Sequence, residues 1–207
     1  MLWSILIAAI PSRYHSAQPL LFSLLETQNV AKMPDVELVY LMDNHRRRVG
    51  AKRNALLSLA QGEYVSFVDD DDEVAPDYVS RIHGAIMKAR KQQPPVDVIT
   101  FPQRATLSPA GVIHECTYSL EHFKKPMGER RSLAQTDKEN VLAWTGPPAH
   151  TMVWRREIIK NLRFPEQQFG EDVIFVDEAC KVAKTEMVLD GGPLYFYNYN
   201  EEKTATR

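Results

Sequence analysis

Cysteine is scarce: Cys116 and Cys180 are the only two in 207 residues. They form no Cys-x-x-Cys pair, which excludes a disulfide framework and the usual thiolate zinc sites. A reducing cytoplasm is the expected compartment. Apolar runs long enough to span a bilayer are also missing. The opening run Leu2–Ile10 is too short. It also lacks the basic flank and cleavage pattern of a signal peptide, so it reads as a buried first strand. Neither charge sign dominates: 25 Lys and Arg stand against 27 Asp and Glu, for a net charge of −2. No overall field draws the chain to nucleic acid or an anionic membrane. No Gly-x-Gly-x-x-Gly, Walker loop or serine nucleophile elbow occurs. There is no internal repeat and no low-complexity linker. The expectation is one domain, 1–207, in two halves that divide near residue 95.

What is present reads as alternating strands and helices. Leu2–Ile10 is a near-continuous apolar run, as a strand covered on both faces requires. A helix follows, with Ser16 as its cap, Pro19 in its first turn, and Leu20, Leu21, Leu24 and Leu25 on one face. Val36–Met42 is a second strand ending at Asp43-Asn44. Gly50 opens a helix with an apolar face of Ala51, Ala55, Leu56 and Leu59, and Gly62 stops it. Tyr64–Val68 is the third strand. Pro76 starts a helix with Tyr78, Ile82, Ile86 and Ala89 at helical spacing. This order predicts an α/β fold whose mixed, mainly parallel sheet is flanked by helices, with a Rossmann-like N-terminal half. Further on, Val96–Phe101 reads as a strand and Ser108–Gly111 as the turn of a hairpin. Residues 119–149 read as loops over the site. Helices are expected at Arg155–Asn161 and Val173–Ala183, and late strands at Met187–Leu189 and Leu194–Tyr199.

The third strand drives straight into Asp69-Asp70-Asp71-Asp72. Ligands of open α/β sheets sit where strands leave the sheet. Two carboxylates about 5 Å apart repel by roughly 3 kcal/mol at an effective dielectric of 20. Four of them need full solvation or a cation. A solvated turn before a helix is the plain structural alternative; the buried strand ahead of the acids favours a site for Mg²⁺ or Mn²⁺. A calcium loop is excluded, because Val74 and Ser80 stand where its glycine and glutamate belong.

His45-Arg46-Arg47-Arg48, with Lys52 and Arg53, follows the second strand. Loops after parallel strands share one edge, so this cationic segment should neighbour the acids and suit a metal–phosphate substrate. Alone it would be a solvated basic surface. Glu171 and Asp172 either favour the start of the helix after them through its dipole, or supply a general base. His150 is a structural histidine, a metal ligand beside the acids, or an acceptor contact. The two cysteines read as core residues.

Six stretches in order resemble family 2 glycosyltransferases of the GT-A fold. They are Ile10-Pro11-Ser-Arg13, Leu24–Gln28, Gly50-Ala-Lys-Arg53-Asn54 with Gly62-Glu63-Tyr64, Phe67–Asp72, Phe164-Pro-Glu with Gly170-Glu171-Asp172, and Pro193–Tyr197. The resemblance implies an inverting, metal-dependent transfer of a sugar from a nucleoside-diphosphate sugar, expected to be a UDP-sugar, to an acceptor hydroxyl. Residues 1–95 would bind the donor, and 96–207 the acceptor and the catalytic base. Asp43 would contact the nucleotide base and Asp69 the ribose. Asp71 would hold the metal on the diphosphate, with Asp70 and Asp72 in support. Pro11, Arg13, Lys52 and Arg53 would lie near the donor. Asp172 would be the base, with Glu171 beside it. Small stand-alone chains of this kind resemble those of phages and bacterial polysaccharide clusters. Two alternatives stand beside this: an acceptor in modified DNA, gripped by Arg46–Arg48, and a catalytically silent nucleotide-sugar-binding module.

Overall fold

The opening apolar run forms a strand, Trp3–Ala9 (β1), buried along nearly its whole length. It lies between two parallel neighbours, Val36–Met42 (β2) and Tyr64–Asp69 (β3). The computed structural model of the protein describes residues 1–107, 111–167 and 169–199. Hydrogen-bonding groups inside this layer are paired: the Trp3 indole donates to Ser66 Oγ at 3.0 Å, and Gly62 N–H donates to Ser4 Oγ at 2.7 Å.

The helices expected between these strands form, with two corrections. The first, Tyr14–Phe22 (α1), begins before Ser16, because Pro11 nucleates a 3₁₀ turn over Pro11–Arg13 that runs into it. Ser16 is therefore no cap, and its hydroxyl bonds back to the Arg13 carbonyl. Pro19 sits inside the helix rather than in its first turn. The second helix, Val49–Leu59 (α2), buries Leu56 and Leu57 together with Lys52 and Arg53, while Leu59 is exposed. Its inward face is thus partly cationic, because its buried charges find carboxylates. Tyr78–Ala89 (α3) buries Tyr78, Ile82, Ile86 and Ala89 as the spacing predicts.

The second half is more strand-rich than expected. Short strands at Glu73–Val74 (β4) and Val98–Thr100 (β5) precede a hairpin of Gln103–Leu107 (β6) and Val112–Tyr118 (β7). Most of the turn expected at Ser108–Gly111 lies outside the described residues. The segment 119–149, expected as loops, carries a short helix at Leu120–Lys124 (α4) and strands Ser132–Gln135 (β8) and Val141–Gly146 (β9). The β8 residues are all exposed at a sheet edge, so no buried face leaves an alternating pattern to read. Val153–Arg155 (β10) is a further strand, followed by Arg156–Ile159 (α5) and Glu171–Val182 (α6). Glu186–Val188 (β11) and Tyr195–Tyr199 (β12) end the described elements.

Two six-stranded sheets result, rather than the single one expected. The first runs β11-β5-β10-β3-β1-β2, with β10 antiparallel to both neighbours. The strands β5, β10 and β11, all beyond residue 95, complete it. The second runs β4-β12-β6-β7-β9-β8. The pairing of β12 with β4 brings the last described strand beside the segment that follows the four aspartates.

Candidate active site

A cavity of about 750 Å³ opens where β1 and β3 leave the first sheet and the second sheet faces them. Its wall includes Arg13, the α2 residues Lys52 and Arg53, Asp69–Asp72, His150, and Glu171 and Asp172 of the first α6 turn. Of the residues expected in the site, Pro11 and Asp43 do not line it. Pro11 starts the 3₁₀ turn that carries Arg13. The Asp43 carboxylate lies 3.3 Å from Lys52 Nζ and accepts the Arg47 N–H at 3.1 Å, so it shapes the arginine loop.

Each aspartate of the run has its own environment. Asp70 is buried and tied down: it accepts the Ile10 N–H at 3.0 Å and Arg13 Nη1 at 3.0 Å. The same Nη1 lies 3.0 Å from Asp71 Oδ1. Burial pushes the Asp71 carboxyl up to about 6; Arg13 opposes this, and the charges of Asp69 and Asp70 reinforce it. Asp72 rises to about 8, through burial and then the charge of Asp69, although the Tyr195 hydroxyl and Asn198 N–H donate to it. Asp69 behaves oppositely. Burial disfavours its charge, but Arg53 and His150 outweigh that and hold it well below the usual carboxylate range.

Arg53 explains why a helix buries a cation. Its Nη2 lies 2.7 Å from Asp69 Oδ1, and its Nη1 lies 2.6 Å from Glu171 Oε1. Burial works against the guanidinium's charge, yet these two carboxylates raise its pKa. One fork therefore joins the end of β3 to the start of α6. The approach is kept close by Asn54, which both donates to the Phe164 carbonyl at 2.8 Å and accepts its N–H at 2.9 Å. Gly50 makes room, because a Cβ there would strike the Pro165 carbonyl. Phe164 then stacks on Phe175 of α6 at 3.8 Å and meets Phe67 of β3 edge-on at 5.2 Å.

His150 occupies the gap beyond this fork. Its Nε2 is 3.4 Å from Asp69 Oδ2, and its Nδ1 is 3.6 Å from Asp172 Oδ2. The residues expected to face each other across one cavity, Asp71 and Asp172, do line the same one.

Sequence reasoning passed over the wall supplied by the second sheet: Gln103, Tyr118, Tyr195 and Tyr197. Tyr197 left a signal as part of the closing strand, and so did Tyr195. The Tyr195 hydroxyl accepts the Asp69 N–H at 3.0 Å and donates to Asp72 Oδ2 at 2.6 Å. Among the described residues, no group of three or more His, Cys, Asp or Glu side chains is arranged to hold a metal by itself. No helix among them is long and apolar enough to cross a membrane.

Comparison with known proteins gives the same picture from outside. The profile of the family described as Glycosyl transferase family 2 matches residues 26–94. A curated relative, the putative colanic acid biosynthesis glycosyl transferase WcaA of Escherichia coli strain K12, is 28% identical over 128 residues. That match covers 62% of this chain and 41% of the relative. Among solved structures, S. aureus TarS 1–349 in complex with UDP-GlcNAc superposes with a TM-score of 0.65 at 18% identity. It covers all of this chain, which spans 61% of TarS 1–349. TarS 1–349 in complex with UDP gives 0.61 at 18% identity, over 98% of this chain and 62% of that one. The chain thus spans well under half of the curated relative and about three-fifths of the structural neighbours. Residues 26–94 match the profile of glycosyl transferase family 2, and the chain as a whole shares the GT-A fold of the TarS structures.

Proposed function

We propose that the protein is an inverting, metal-dependent glycosyltransferase that moves a sugar from a UDP-sugar to an acceptor hydroxyl. The observation that carries this is the gathering of Asp69–Asp72, Arg53, His150 and the Glu171-Asp172 pair around one cavity. The likeness of the fold to TarS bound to UDP-GlcNAc and to UDP supports the choice of nucleotide.

In this reading Asp172, partly exposed at the cavity wall, accepts the proton of the acceptor hydroxyl. The freed oxygen attacks the anomeric carbon as that carbon's bond to the diphosphate oxygen breaks. The fixed surroundings of Asp69 and Asp70 keep the donor pocket in shape while this happens. The fit of a divalent cation can be judged from Asp71. Its carboxyl is raised first by burial and further by the charges of Asp69 and Asp70, and it lines the cavity, where a cation would offset those charges. Mg²⁺ or Mn²⁺ is commonly held by one or two carboxylates plus substrate phosphates, which suits a site with no complete protein cage. Asp71 would be its protein ligand, and the cation would neutralise charge on the departing nucleotide.

Release of UDP from a panel of UDP-sugars, with Mn²⁺ and with a chelator, tests the proposal. It stands if at least one donor is turned over in Mn²⁺ and the chelator stops the reaction. A wild-type protein that binds UDP with Mn²⁺ but turns over no donor would instead be a silent binding module. A nucleic acid acceptor is favoured by one observation: Arg47 and Arg48 line the cavity, and Arg48 reaches across to the Glu166 carbonyl at 3.1 Å. Stimulation of UDP release by hydroxylated DNA, falling steeply with salt, would select that acceptor.

A further inference from the structure

Arg53 and His150 bridge the end of β3 to the first turn of α6, and they do so in parallel. Asp69 offers Oδ1 to Arg53 and Oδ2 to His150. The two acids of that first turn divide in the same way, Glu171 to Arg53 and Asp172 to His150. The bridges differ in strength. Both contacts of Arg53 are 2.7 Å or shorter, the range of charge-assisted hydrogen bonds. Those of His150, at 3.4 and 3.6 Å, are longer than a formed hydrogen bond. The side chain is 10% exposed, and its Nε2 is buried with no hydrogen-bond partner. It makes an ion-pair contact with the Asp172 carboxylate, whose charge also reaches Arg53.

The difference matches the tasks of the two acids. Glu171 is held permanently and fixes the register of α6 against β3. A base must be aimed without being neutralised, and contacts around a base often tighten only once substrate is bound. A buried guanidinium bonded to Asp172 would hold its charge too firmly for it to take up a proton. An imidazole within reach of one carboxylate oxygen leaves the other oxygen available to an acceptor in the cavity that Asp172 lines.

We infer that His150 is a positioning residue: its Nδ1 side aims the Asp172 carboxylate at the acceptor, with Asp69 as the anchor on its Nε2 side. This rests on the reading of Asp172 as the base. It also gives His150 a role other than metal ligand, since both ring nitrogens face carboxylates.

Substitution at 150 separates the possibilities, because the amide of Asn stands near the place of Nδ1 and that of Gln near Nε2. The readouts are kcat and KM for the UDP-sugar turned over fastest in the panel above, and the Kd of UDP with Mn²⁺ by calorimetry. For His150→Ala we expect kcat to fall by about 30-fold while KM and the UDP Kd move less than about threefold. His150→Asn should recover most of the lost kcat, and His150→Gln should not. The inference is overturned if His150→Ala weakens UDP about tenfold or more, as loss of a donor or metal ligand would, or if Gln rescues and Asn does not. Asp172→Asn tests the underlying reading separately. Full turnover in that variant sinks the base itself, whereas an inactive Asp172→Asn beside an unimpaired His150→Ala sinks only the positioning role. Should His150→Ala not fold, the contrast between Asn and Gln decides alone.

Discussion

The hydroxyl of Tyr195 donates to Asp72 Oδ2 at 2.6 Å, across 123 residues of sequence. It also accepts the Asp69 N–H at 3.0 Å, so one oxygen of β12 holds two members of the acidic run. This is how the second sheet grips the end of β3. Burial, followed by the charges of Asp72 and Asp69, pushes the Tyr195 phenol far above its ordinary value, so it stays a hydrogen-bond donor at any working pH.

Removing that hydroxyl tests the grip. Tyr195→Phe leaves a buried carboxylate oxygen and a backbone N–H without this partner. The expected loss of stability is about 2 kcal/mol. A urea titration should show a lower midpoint at an unchanged slope. A midpoint equal to wild type would mean that other groups or water take over both bonds.

The raised carboxyls predict how stability changes with pH. Folded-state values of about 6 for Asp71 and about 8 for Asp72 lie above those of an unfolded chain, near 4. The folded protein holds these protons more tightly. Their contribution is therefore complete below about pH 4, and it fades as pH rises through about 6 and then about 8. Asp69, held low, acts only at the acid end and leaves the range above about pH 5 undisturbed. Asp72→Asn should accordingly gain on wild type between about pH 4 and pH 8, read as a growing difference in Tm. A difference that stays constant over that range contradicts the raised value.

Arg53 gives a prediction of opposite sign. Arg53→Met leaves the buried Glu171 and the partly buried Asp69 close together and without this guanidinium. Breaking a buried pair by removing one partner costs roughly 3 to 5 kcal/mol, and the upper part of that range is expected with two carboxylates left behind. Lys cannot fork to both, so Arg53→Lys should recover only part of the loss. Chemical denaturation of the two variants measures it, and full recovery by Lys would remove the bridging role.

The strong periodic elements were legible in the sequence, because burial on both faces or on one helix face writes itself into composition. Tyr78, Ile82, Ile86 and Ala89 are buried as their spacing predicts. The acids were legible for a related reason: an apolar strand running into four carboxylates concentrates repulsion where the fold can least solvate it. The second sheet was legible only in part, through its hairpin and its closing strand. Its edge strand Ser132–Gln135 is exposed throughout, and Val153–Arg155 joins the first sheet with only three residues. Pairing of such strands is decided by distant partners rather than by local pattern. The same limit hid the cationic face of α2. Lys52 and Arg53 look solvent-facing until Ala9, Asp69 and Glu171 are brought to them by the fold. Tyr195 was readable as a strand residue but not as a site residue, since its partners lie at Asp69 and Asp72.

The most direct measurement separates donor binding from turnover in two variants, Asp71→Ala and Asp172→Asn, with Mn²⁺ present. If both residues serve one bound donor from opposite walls of the cavity, Asp71→Ala should lose UDP affinity and turnover together. Asp172→Asn should keep the UDP Kd within about threefold of wild type while kcat falls by about 100-fold or more. Wild-type turnover in Asp172→Asn, or unchanged UDP affinity and turnover in Asp71→Ala, would contradict the roles assigned to the two acids.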